Sequence, residues 1–296
     1  MINNKFIAAG YLLLIELIRR CSSCIPMDIL KKIPVIGKVK LHISDNIKVY
    51  MQNNGDDYIA SVIFWRGIQA FEPETIACFI KLLESARTVL DIGANTGLYA
   101  LIAGIENKER KVYAFEPVPA IFDYLKKNGA ANNAHNVLLY QQALTNYNGE
   151  ITIYIPEGNI PTEASTRKDF RKSVQEIRVK ALRVDDFVNT ENIPKIDLIK
   201  IDTEGTEDTV FQGAVNTIKR DKPLIICEVL KGAVGARLKK LFDPLGYAYI
   251  KITRKGLIEQ ADIIGDEAQI ERDYLFVPRE QAQHVLHRVN TCRHIN

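Results

Sequence analysis

From Glu74 onward, short apolar runs alternate with segments in which apolar residues recur every three to four positions. The apolar runs predict strands at Thr88–Ile92, Lys111–Phe115, Val137–Gln141, Ile196–Ile201 and Leu224–Val229. The periodic segments predict helices at Leu98–Glu106, Pro119–Asn132, Glu207–Lys219 and Ala233–Phe242. Two later runs predict a closing hairpin at Tyr247–Thr253 and Asp273–Val277. This alternation indicates an α/β fold with a mostly parallel, seven-stranded sheet and helices on both faces.

The first 75 residues do not follow this alternation, and we expect them to form an N-terminal appendage to a domain spanning 76–296. The sequence predicts a helix at Phe6–Ile18, a linker at Pro26–Pro34 and a strand-like segment at Lys38–Met51. A further helix is expected to begin near Pro73, because proline is favoured in the first turn of a helix.

The apolar stretch at Phe6–Ile18 is shorter than the roughly 20 residues that a membrane-spanning helix needs. Arg19 and Arg20 follow it directly, so a signal-peptide cleavage site is not expected. The favoured interpretation is a helix that packs on the main domain or on a second subunit in a homodimer. Peripheral membrane contact, with Lys5, Arg19 and Arg20 near anionic headgroups, is the alternative.

A long polar segment interrupts the alternation at Gly149–Lys180. Its two ends have strand character, and its middle carries the basic side chains of Arg167, Lys168, Arg171 and Lys172. Polar loops of this length are uncommon inside a compact domain unless they have a function. This one would leave the sheet at the carboxyl ends of the strands, where ligands of open α/β folds bind. We therefore interpret it as a substrate loop, and the alternative is a solvated hairpin tip.

The composition is that of an ordinary globular protein. The 296 residues are 47% hydrophobic and 25% charged, and a net charge of +3 is too small to indicate a nucleic-acid partner. Of the five cysteines, Cys78 and Cys227 lie in apolar runs and are expected to be buried thiols, which favours a reducing, cytoplasmic location. Cys21 and Cys24 have the spacing of half a zinc site, but no second pair follows, since His42 stands alone.

The most informative motif follows the strand predicted at Thr88–Ile92. Asp91 is followed by Gly93, Asn95 and Gly97, and then by a helical pattern. Roughly 20 residues on, Glu116 ends the next strand. A glycine turn between strand and helix lets a nucleotide-like ligand approach the backbone, and a carboxylate at the second strand end can accept hydrogen bonds from two ribose hydroxyls. The motif therefore predicts an adenosine-containing ligand.

The glycine spacing favours S-adenosylmethionine over a dinucleotide. In the dinucleotide pattern G-x-G-x-x-G, Asn95 would stand at the middle glycine, and Gly97 arrives one residue early. Asp91 would repel a pyrophosphate, whereas its carboxylate suits the ammonium group of a methionine moiety. The alternative is that Asp91 and Glu116 are only strand-end residues and that the glycines only form a turn.

A second charged segment, KIDTEGTE at Lys200–Glu207, ends the fourth predicted strand. Together with DIGANTG (91–97) and FEP (115–117), it resembles the signature of the FkbM family of methyltransferases. The resemblance covers roughly residues 58–228, and KIDTEGTE is its specific part. The glycine motif alone would indicate only a class I methyltransferase.

The resemblance implies a Rossmann-like class I methyltransferase fold, with S-adenosyl-L-methionine as donor and usually a hydroxyl acceptor. Acceptors in that family are typically sugars, glycans or polyketide-type natural products. By position in the motifs, the resemblance places the methionine end of the donor at Asp91, Gly93, Asn95 and Gly97. It places the ribose at Glu116 and the adenine beside Gln142 and Ala143.

Asp202 and Glu204 are the candidate catalytic residues. An aliphatic hydroxyl is a poor nucleophile until its proton is removed, so we expect a carboxylate within hydrogen-bond reach of the acceptor. One of the two would act as the base, and the other would orient the acceptor or Lys200. No metal is expected, because hard cations need several oxygen ligands and no third carboxylate lies at a clear spacing.

The residues that follow have expected structural roles. Thr206 is a predicted cap of the next helix. The carboxylates of Glu207 and Asp208 are expected to stabilise the first turn of that helix through its dipole.

The leading hypothesis is therefore a cytoplasmic S-adenosylmethionine-dependent O-methyltransferase that acts on a hydroxyl of a glycan or of a glycosylated metabolite. A second hypothesis keeps the donor but places the acceptor on a nitrogen or on a small non-sugar metabolite. A third is a module that binds the donor without turnover.

Overall fold

The computed structural model describes residues 4–30, 32–156, 174–268 and 270–290. The helices are α1 (Asn4–Arg20), α2 (Met27–Leu30), α3 (Tyr58–Arg66), α4 (Pro73–Leu83), α5 (Leu98–Glu106), α6 (Pro119–Ala131), α7 (Val184–Thr190), α8 (Glu207–Gln212), α9 (Val215–Asp221), α10 (Val234–Phe242) and α11 (Ala282–Asn290). The strands are β1 (Ile36–His42), β2 (Lys48–Asn54), β3 (Thr88–Ile92), β4 (Lys111–Phe115), β5 (Val137–Tyr140), β6 (Ala143–Thr145), β7 (Gly149–Pro156), β8 (Val174–Arg183), β9 (Leu198–Ile201), β10 (Leu224–Glu228), β11 (Tyr247–Thr253), β12 (Gly256–Gln260) and β13 (Asp273–Pro278).

The central sheet has the strand order β12-β11-β13-β10-β9-β3-β4-β5. The five strands from β10 to β5 are parallel, as predicted, and their ends lie within two residues of the predicted ones. The order reverses at β3 and β9, because the chain continues from β3 towards one edge and from β9 towards the other. Ligands of open α/β sheets bind at the carboxyl ends of the strands at such a reversal.

The prediction of seven strands was wrong, because the described residues form eight in this sheet. The additional strand, β12, pairs with β11 at the sheet edge, and β13 lies between β10 and β11. The two runs expected to close the sheet, β11 and β13, do pair antiparallel as predicted, and β12, which lies between them in the sequence, adds one further strand at the edge. β12 is only partly covered and contains polar residues, so it carries no apolar run that the pattern could detect.

Side-chain alternation along β3 explains why helices cover both faces. Val89 lies in one large apolar cluster, and its neighbours Leu90 and Ile92 lie in another. Successive side chains of a strand point to opposite faces, so each face of this buried strand needs its own helical layer.

The helix predicted at Glu207–Lys219 is in fact two helices, α8 and α9. A β-carbon on Gly213 would lie 2.1 Å from the carbonyl oxygen of Thr145 in β6, so only glycine fits this contact. The carboxylate of Asp185 then accepts hydrogen bonds from the backbone of Asn216 and Thr217 at the start of α9. Two segments that are distant in the sequence, β6 and the start of α7, therefore separate α8 from α9.

The N-terminal 75 residues contain more regular structure than expected. The strand-like segment is a hairpin of β1 and β2, and α3 was not predicted. The larger apolar cluster joins Ile15 of α1 to Val285 of α11 and thus extends across the expected boundary at residue 75. The boundary itself stays a prediction. No helix of the described residues is long and apolar enough to cross a membrane.

The two ends of the polar insertion form antiparallel β7 and β8, which build a small sheet with β6. Residues 157–173, including Arg167, Lys168, Arg171 and Lys172, lie outside the described residues. The side chain of Ile153 in β7 lines the cavity at the reversal of the sheet. The described part of the insertion therefore forms part of the cavity wall.

Candidate active site

A single cavity at the carboxyl ends of β3, β4 and β9 collects nearly all the residues that the sequence singled out. Those that line it are Asp91, Gly93, Asn95, Glu116, Gln142, Ala143, Asp202 and Glu204. Gly97 does not line the cavity. It begins α5 with φ of +101°, and a β-carbon there would lie 2.5 Å from Leu125. Close packing and backbone conformation, rather than ligand contact, explain this glycine.

The turn after β3 is held against the end of β4. The backbone N–H groups of Gly93 and Ala94 both donate to the carbonyl oxygen of Phe115, at 3.0 and 2.9 Å. Gly93 and Asn95 have positive φ angles of +77° and +51°, which a residue with a side chain rarely adopts. Gly93 carries no side chain, so a ligand can approach the backbone of the turn at this position.

Glu116 connects the turn to the start of the next helix. One carboxylate oxygen accepts from the Asn95 N–H at 3.1 Å, and the other accepts from the Val118 N–H at 2.9 Å. These bonds fix the orientation of the carboxylate and leave each oxygen a further lone pair. Burial raises the pKa of Glu116 to about 7.

Two of the residues expected to bind the methyl donor, Asp91 and Gln142, carry polar atoms that have no hydrogen-bond partner within the described part of the chain. Asp91 is buried, its Oδ2 atom is unbonded, and burial raises its pKa to about 7. The side-chain carbonyl oxygen of Gln142 is likewise buried and unbonded. Buried polar atoms normally have partners, so these two atoms fit a ligand that supplies an ammonium group at Asp91 and an amino group at Gln142. S-adenosylmethionine carries both groups.

The acidic residues after β9 lie opposite the glycine turn. Oxygen atoms of Asp202, Glu204 and Glu228 all lie within 4.8 Å of one another. The premise that no third carboxylate is close was therefore wrong, because Glu228 arrives from the end of β10, a strand end that carries no recognisable motif. The absence of a metal stays a prediction.

Glu228 is the buried member of this group. It is buried and pairs with Arg272 through Nη1 and Oε1 at 2.8 Å. Burial, and then the charges of Asp202 and Glu204, raise the pKa of Glu228 well above its ordinary value. A protonated Glu228 can donate a hydrogen bond to a neighbouring carboxylate.

Lys200 places a buried positive charge among the acids. Its Nζ atom lies 3.7 Å from Asp202 and 4.0 Å from Asp273, and 5.1 Å above the ring of Tyr99. Burial alone lowers the pKa of a lysine, but the carboxylates around Lys200 raise it far above its ordinary value. Lys200 is therefore a fixed cation that orients Asp202.

Glu72, which precedes α4, is a second residue, after Glu228, that sequence reasoning missed. Its side chain lines the cavity and accepts a hydrogen bond from the Tyr99 hydroxyl at 2.6 Å. Its backbone is left-handed at φ of +43°, a strained conformation for glutamate. Burial, and then the charge of Asp273, raise the pKa of Glu72 to about 7. The local pattern marks Glu72 only as an acid before a helix that starts with proline.

Glu207 and Asp208 lie in the first turn of α8, as predicted, but the expected cap by Thr206 is wrong, and both acids make contacts that the sequence did not predict. Thr206 precedes α8, but its hydroxyl donates to the carbonyl oxygen of Thr203 and does not cap the helix. The buried carboxylate of Glu207 instead accepts from the backbone N–H groups of Thr203 and Gly205. Asp208 pairs with Arg237 at 2.6 Å. Glu207 thus shapes the loop that carries Glu204.

The cysteines form no site among the described residues. Cys78 and Cys227 are buried free thiols, as predicted, and Cys21 and Cys24 are exposed free thiols. Cys292 lies outside the described residues.

Comparison with known proteins agrees with this geometry. Residues 91–248, more than half of the chain, match the methyltransferase FkbM domain. The chain is 27% identical over 142 residues to methyltransferase 1 of Beauveria bassiana, covering 42% of this chain and 57% of that protein. It is 25% identical over 173 residues to the hexuronic acid methyltransferase AglP of Haloferax volcanii, covering 58% of this chain and 68% of AglP.

A third relative is the 31-O-demethyl-FK506 methyltransferase FkbM of Streptomyces tacrolimicus. It is 26% identical over 194 residues, covering 54% of this chain and 74% of that protein. The matches thus span between 57% and 74% of the length of these three relatives. The domain match includes the glycine turn, the Glu116 strand end and the acidic segment after β9. The chain belongs to the FkbM family of methyltransferases, whose methyl donor is S-adenosyl-L-methionine.

Proposed function

We propose that this protein is an O-methyltransferase that transfers the methyl group of S-adenosylmethionine to a hydroxyl of a glycan or of a glycosylated metabolite. The observation that carries the proposal is one cavity in which the glycine turn after β3 faces the acids after β9. The glycine turn suits the methyl donor. The acids suit an acceptor hydroxyl that must lose its proton.

Donor binding would use residues at three strand ends. The carboxylate of Asp91 would receive the ammonium group, Glu116 would accept hydrogen bonds from the ribose hydroxyls, and Gln142 would accept one from the adenine amino group. Bound S-adenosylmethionine supplies an electrophilic methyl carbon on a positively charged sulfur. Much of the rate acceleration in such a displacement comes from holding the acceptor in line with that carbon.

Asp202 would accept the proton of the acceptor hydroxyl, and Glu204 would orient the acceptor. Asp202 suits this task because Lys200 holds it from one side at 3.7 Å, while its side chain remains partly open to the cavity. The raised pKa of Glu228 favours its protonated form, which would donate a hydrogen bond to this group of acids. Burial raises the pKa of Glu72 to about 7, so its ionisation near neutral pH would add a negative charge to the group of acids around Lys200.

Two considerations support a sugar hydroxyl as the acceptor. The acid-rich side of the cavity offers several hydrogen-bond acceptors, which suit a ligand with many hydroxyl groups. The names of two relatives, a hexuronic acid methyltransferase and a 31-O-demethyl-FK506 methyltransferase, describe methylation of a sugar acid and of an oxygen.

The test is incubation of the purified protein with S-adenosylmethionine and a matched acceptor panel. The panel contains hexuronic acid glycosides, neutral glycosides, non-sugar alcohols and primary amines, and mass spectrometry detects the added methyl group. We expect methylation of a glycoside hydroxyl in the wild type and strong loss in Asp202→Asn. Asp262→Asn, which removes an exposed carboxylate away from the cavity, is the control.

The possible results separate the hypotheses. Methylation of amines or of non-sugar alcohols alone would overturn the acceptor class. Tight binding of S-adenosylhomocysteine without methylation of any member of the panel would favour a donor-binding module.

A further inference from the structure

Helix α1 presents apolar side chains on two opposite faces. On the inner face, Ile15 is fully buried, and the Tyr11 hydroxyl donates to the carbonyl oxygen of Pro34 at 2.6 Å. This packing agrees with the favoured expectation for the N-terminal helix. On the outer face, the exposed fractions are 69% for Leu13 and 60% for Leu17.

The outer face is contiguous and continues into a basic side chain. Leu13 and Leu17 are one helical turn apart, Leu14 lies beside them with 54% exposure, and Arg20 follows Leu17 by three positions. Residues three and four apart share a helix face. The exposed Ile29 of α2 is a further large apolar side chain in this part of the chain. We call Leu13, Leu14 and Leu17 the outer leucine face.

The chain segment that carries this face is strongly basic. Residues 1–54 contain eight lysines and arginines and three acids, a net charge of +5. Residues 55–296 contain 31 basic and 33 acidic residues, a net charge of −2. The small net charge of the whole chain therefore conceals a marked asymmetry.

Several of the basic side chains lie close together. In the β1–β2 hairpin, the Nζ atoms of Lys38 and Lys40 lie 4.6 and 6.0 Å from the centre of the Tyr50 ring. Burial, and then the charges of Lys40, Lys48 and Arg19, lower the pKa of His42, although Glu16 opposes them. Arg19 is paired with Glu16, so the hairpin lysines and Arg20 supply the basic side chains near α1.

We propose that the outer leucine face docks on an anionic lipid surface, with α1 lying in the plane of the interface. An exposed apolar helix face beside basic side chains is the arrangement by which amphipathic helices bind anionic membranes. A second copy of the chain fits less well, because a symmetric contact through this face would bring two segments of +5 together. The inference is independent of the acceptor and of catalysis.

The experiment is co-sedimentation of the full-length protein with vesicles. One set contains phosphatidylcholine alone, and the other contains about 30% phosphatidylglycerol. We expect binding to the second set, binding at least tenfold weaker to the first, and loss of binding at high salt, because screening weakens attraction between exposed charges.

Two variants separate the apolar and the electrostatic contributions. Leu13→Glu/Leu17→Glu should reduce binding to anionic vesicles by at least about tenfold, since two apolar side chains that would enter the lipid are replaced by charged ones. Arg20→Glu should reduce it as well. Ile264→Glu, which places a negative charge at a similarly exposed apolar residue elsewhere, is the control and should retain clearly more binding than Leu13→Glu/Leu17→Glu. Titration with S-adenosylhomocysteine confirms that each variant is folded.

Three outcomes would overturn the proposal. The first is no binding of the wild type to anionic vesicles. The second is equal loss in Ile264→Glu and in the leucine variant. The third is a wild-type dimer in light scattering that Leu13→Glu/Leu17→Glu dissociates, which would assign the face to a second copy of the chain.

Discussion

The carbonyl oxygen of Asp202 lies 1.9 Å from the position that a β-carbon on Gly93 would occupy. Gly93 belongs to the turn that is expected to hold the donor, and Asp202 belongs to the segment that is expected to act on the acceptor. The backbone N–H of Asp202 also donates to the carbonyl oxygen of Ile92 at 3.0 Å. The two motifs are therefore in direct backbone contact, and the absence of a side chain at Gly93 brings donor and acceptor sites together.

The first prediction concerns Gly93→Ala. It should destabilise the protein and abolish donor binding, because the added methyl group displaces the end of β9 and the φ of +77° is strained for alanine. Gly246→Ala is the matched control, since φ is +73° there but no atom lies within 4 Å of the added carbon. It should cost only the conformational penalty of ~1–2 kcal/mol. Urea unfolding and calorimetric titration with S-adenosylhomocysteine measure both effects, and equal losses in the two variants would contradict the steric explanation.

The second prediction concerns Glu116→Ala. Removing two ribose hydrogen bonds to a charged acceptor, each contributing roughly 1.5–3 kcal/mol, should weaken binding of S-adenosylmethionine and S-adenosylhomocysteine by about 10²–10⁴-fold. Calorimetric titration of wild type and variant measures the change, with the exposed Glu109→Ala as control. Binding of NAD or ATP by the wild type, in place of both sulfur ligands, would refute the donor assignment.

The third prediction follows from the raised pKa values of Asp91 and Glu116, both about 7 in the folded, ligand-free protein. In the unfolded chain these carboxyls titrate near 3.8 and 4.5. Between the two values the folded protein binds more protons than the unfolded chain. Their contribution to stability is therefore complete below the unfolded pKa and is lost as the pH rises through about 7.

The contribution of Asp91 and Glu116 should accordingly make the free energy of unfolding larger at about pH 5 than at about pH 8. Urea unfolding of the ligand-free protein at the two pH values measures this difference. Asp91→Asn should reduce this difference, because the amide cannot ionise. An unchanged pH dependence in Asp91→Asn would show that Asp91 does not have the raised pKa.

The fourth prediction separates Asp202 from Glu72. Asp202→Asn should lower kcat by about 10²–10⁴-fold, the usual contribution of a general base, while donor binding is retained. In the wild type, kcat should rise with pH through about 7, as Glu72 ionises and adds its negative charge to the group of acids at the acceptor side of the cavity. Glu72→Gln should remove this rise and leave donor binding intact. A rise near neutral pH that persists in Glu72→Gln would exclude Glu72 as its source.

The local pattern of hydrophobic and polar residues was sufficient to predict those parts of the fold that depend on residues close together in the sequence. The parallel strands β3, β4 and β9 are apolar runs with polar ends, and the glycine turn and Glu116 occupy fixed positions relative to them. Strand ends of a parallel sheet meet at one edge, so the donor residues and Asp202 were predictable as neighbours from the amino-acid sequence.

Contacts between segments that are far apart in the sequence determine the remaining features of the fold and of the site. Glu228 and Glu72 join the acids after β9 only because β10 and the segment before α4 fold against β9, and burial there raises the pKa of both. Gly213 breaks a helix because the Thr145 carbonyl oxygen approaches it.

Short segments with fixed spacing encode the order of strands and helices, the donor turn and the family, so these could be predicted from the amino-acid sequence. Folding brings particular acids into one cavity, raises the pKa of some of them, and leaves one face of α1 exposed. Those properties depend on solvent exclusion and on charges brought close by folding, and neither can be read from the spacing of residues along the chain.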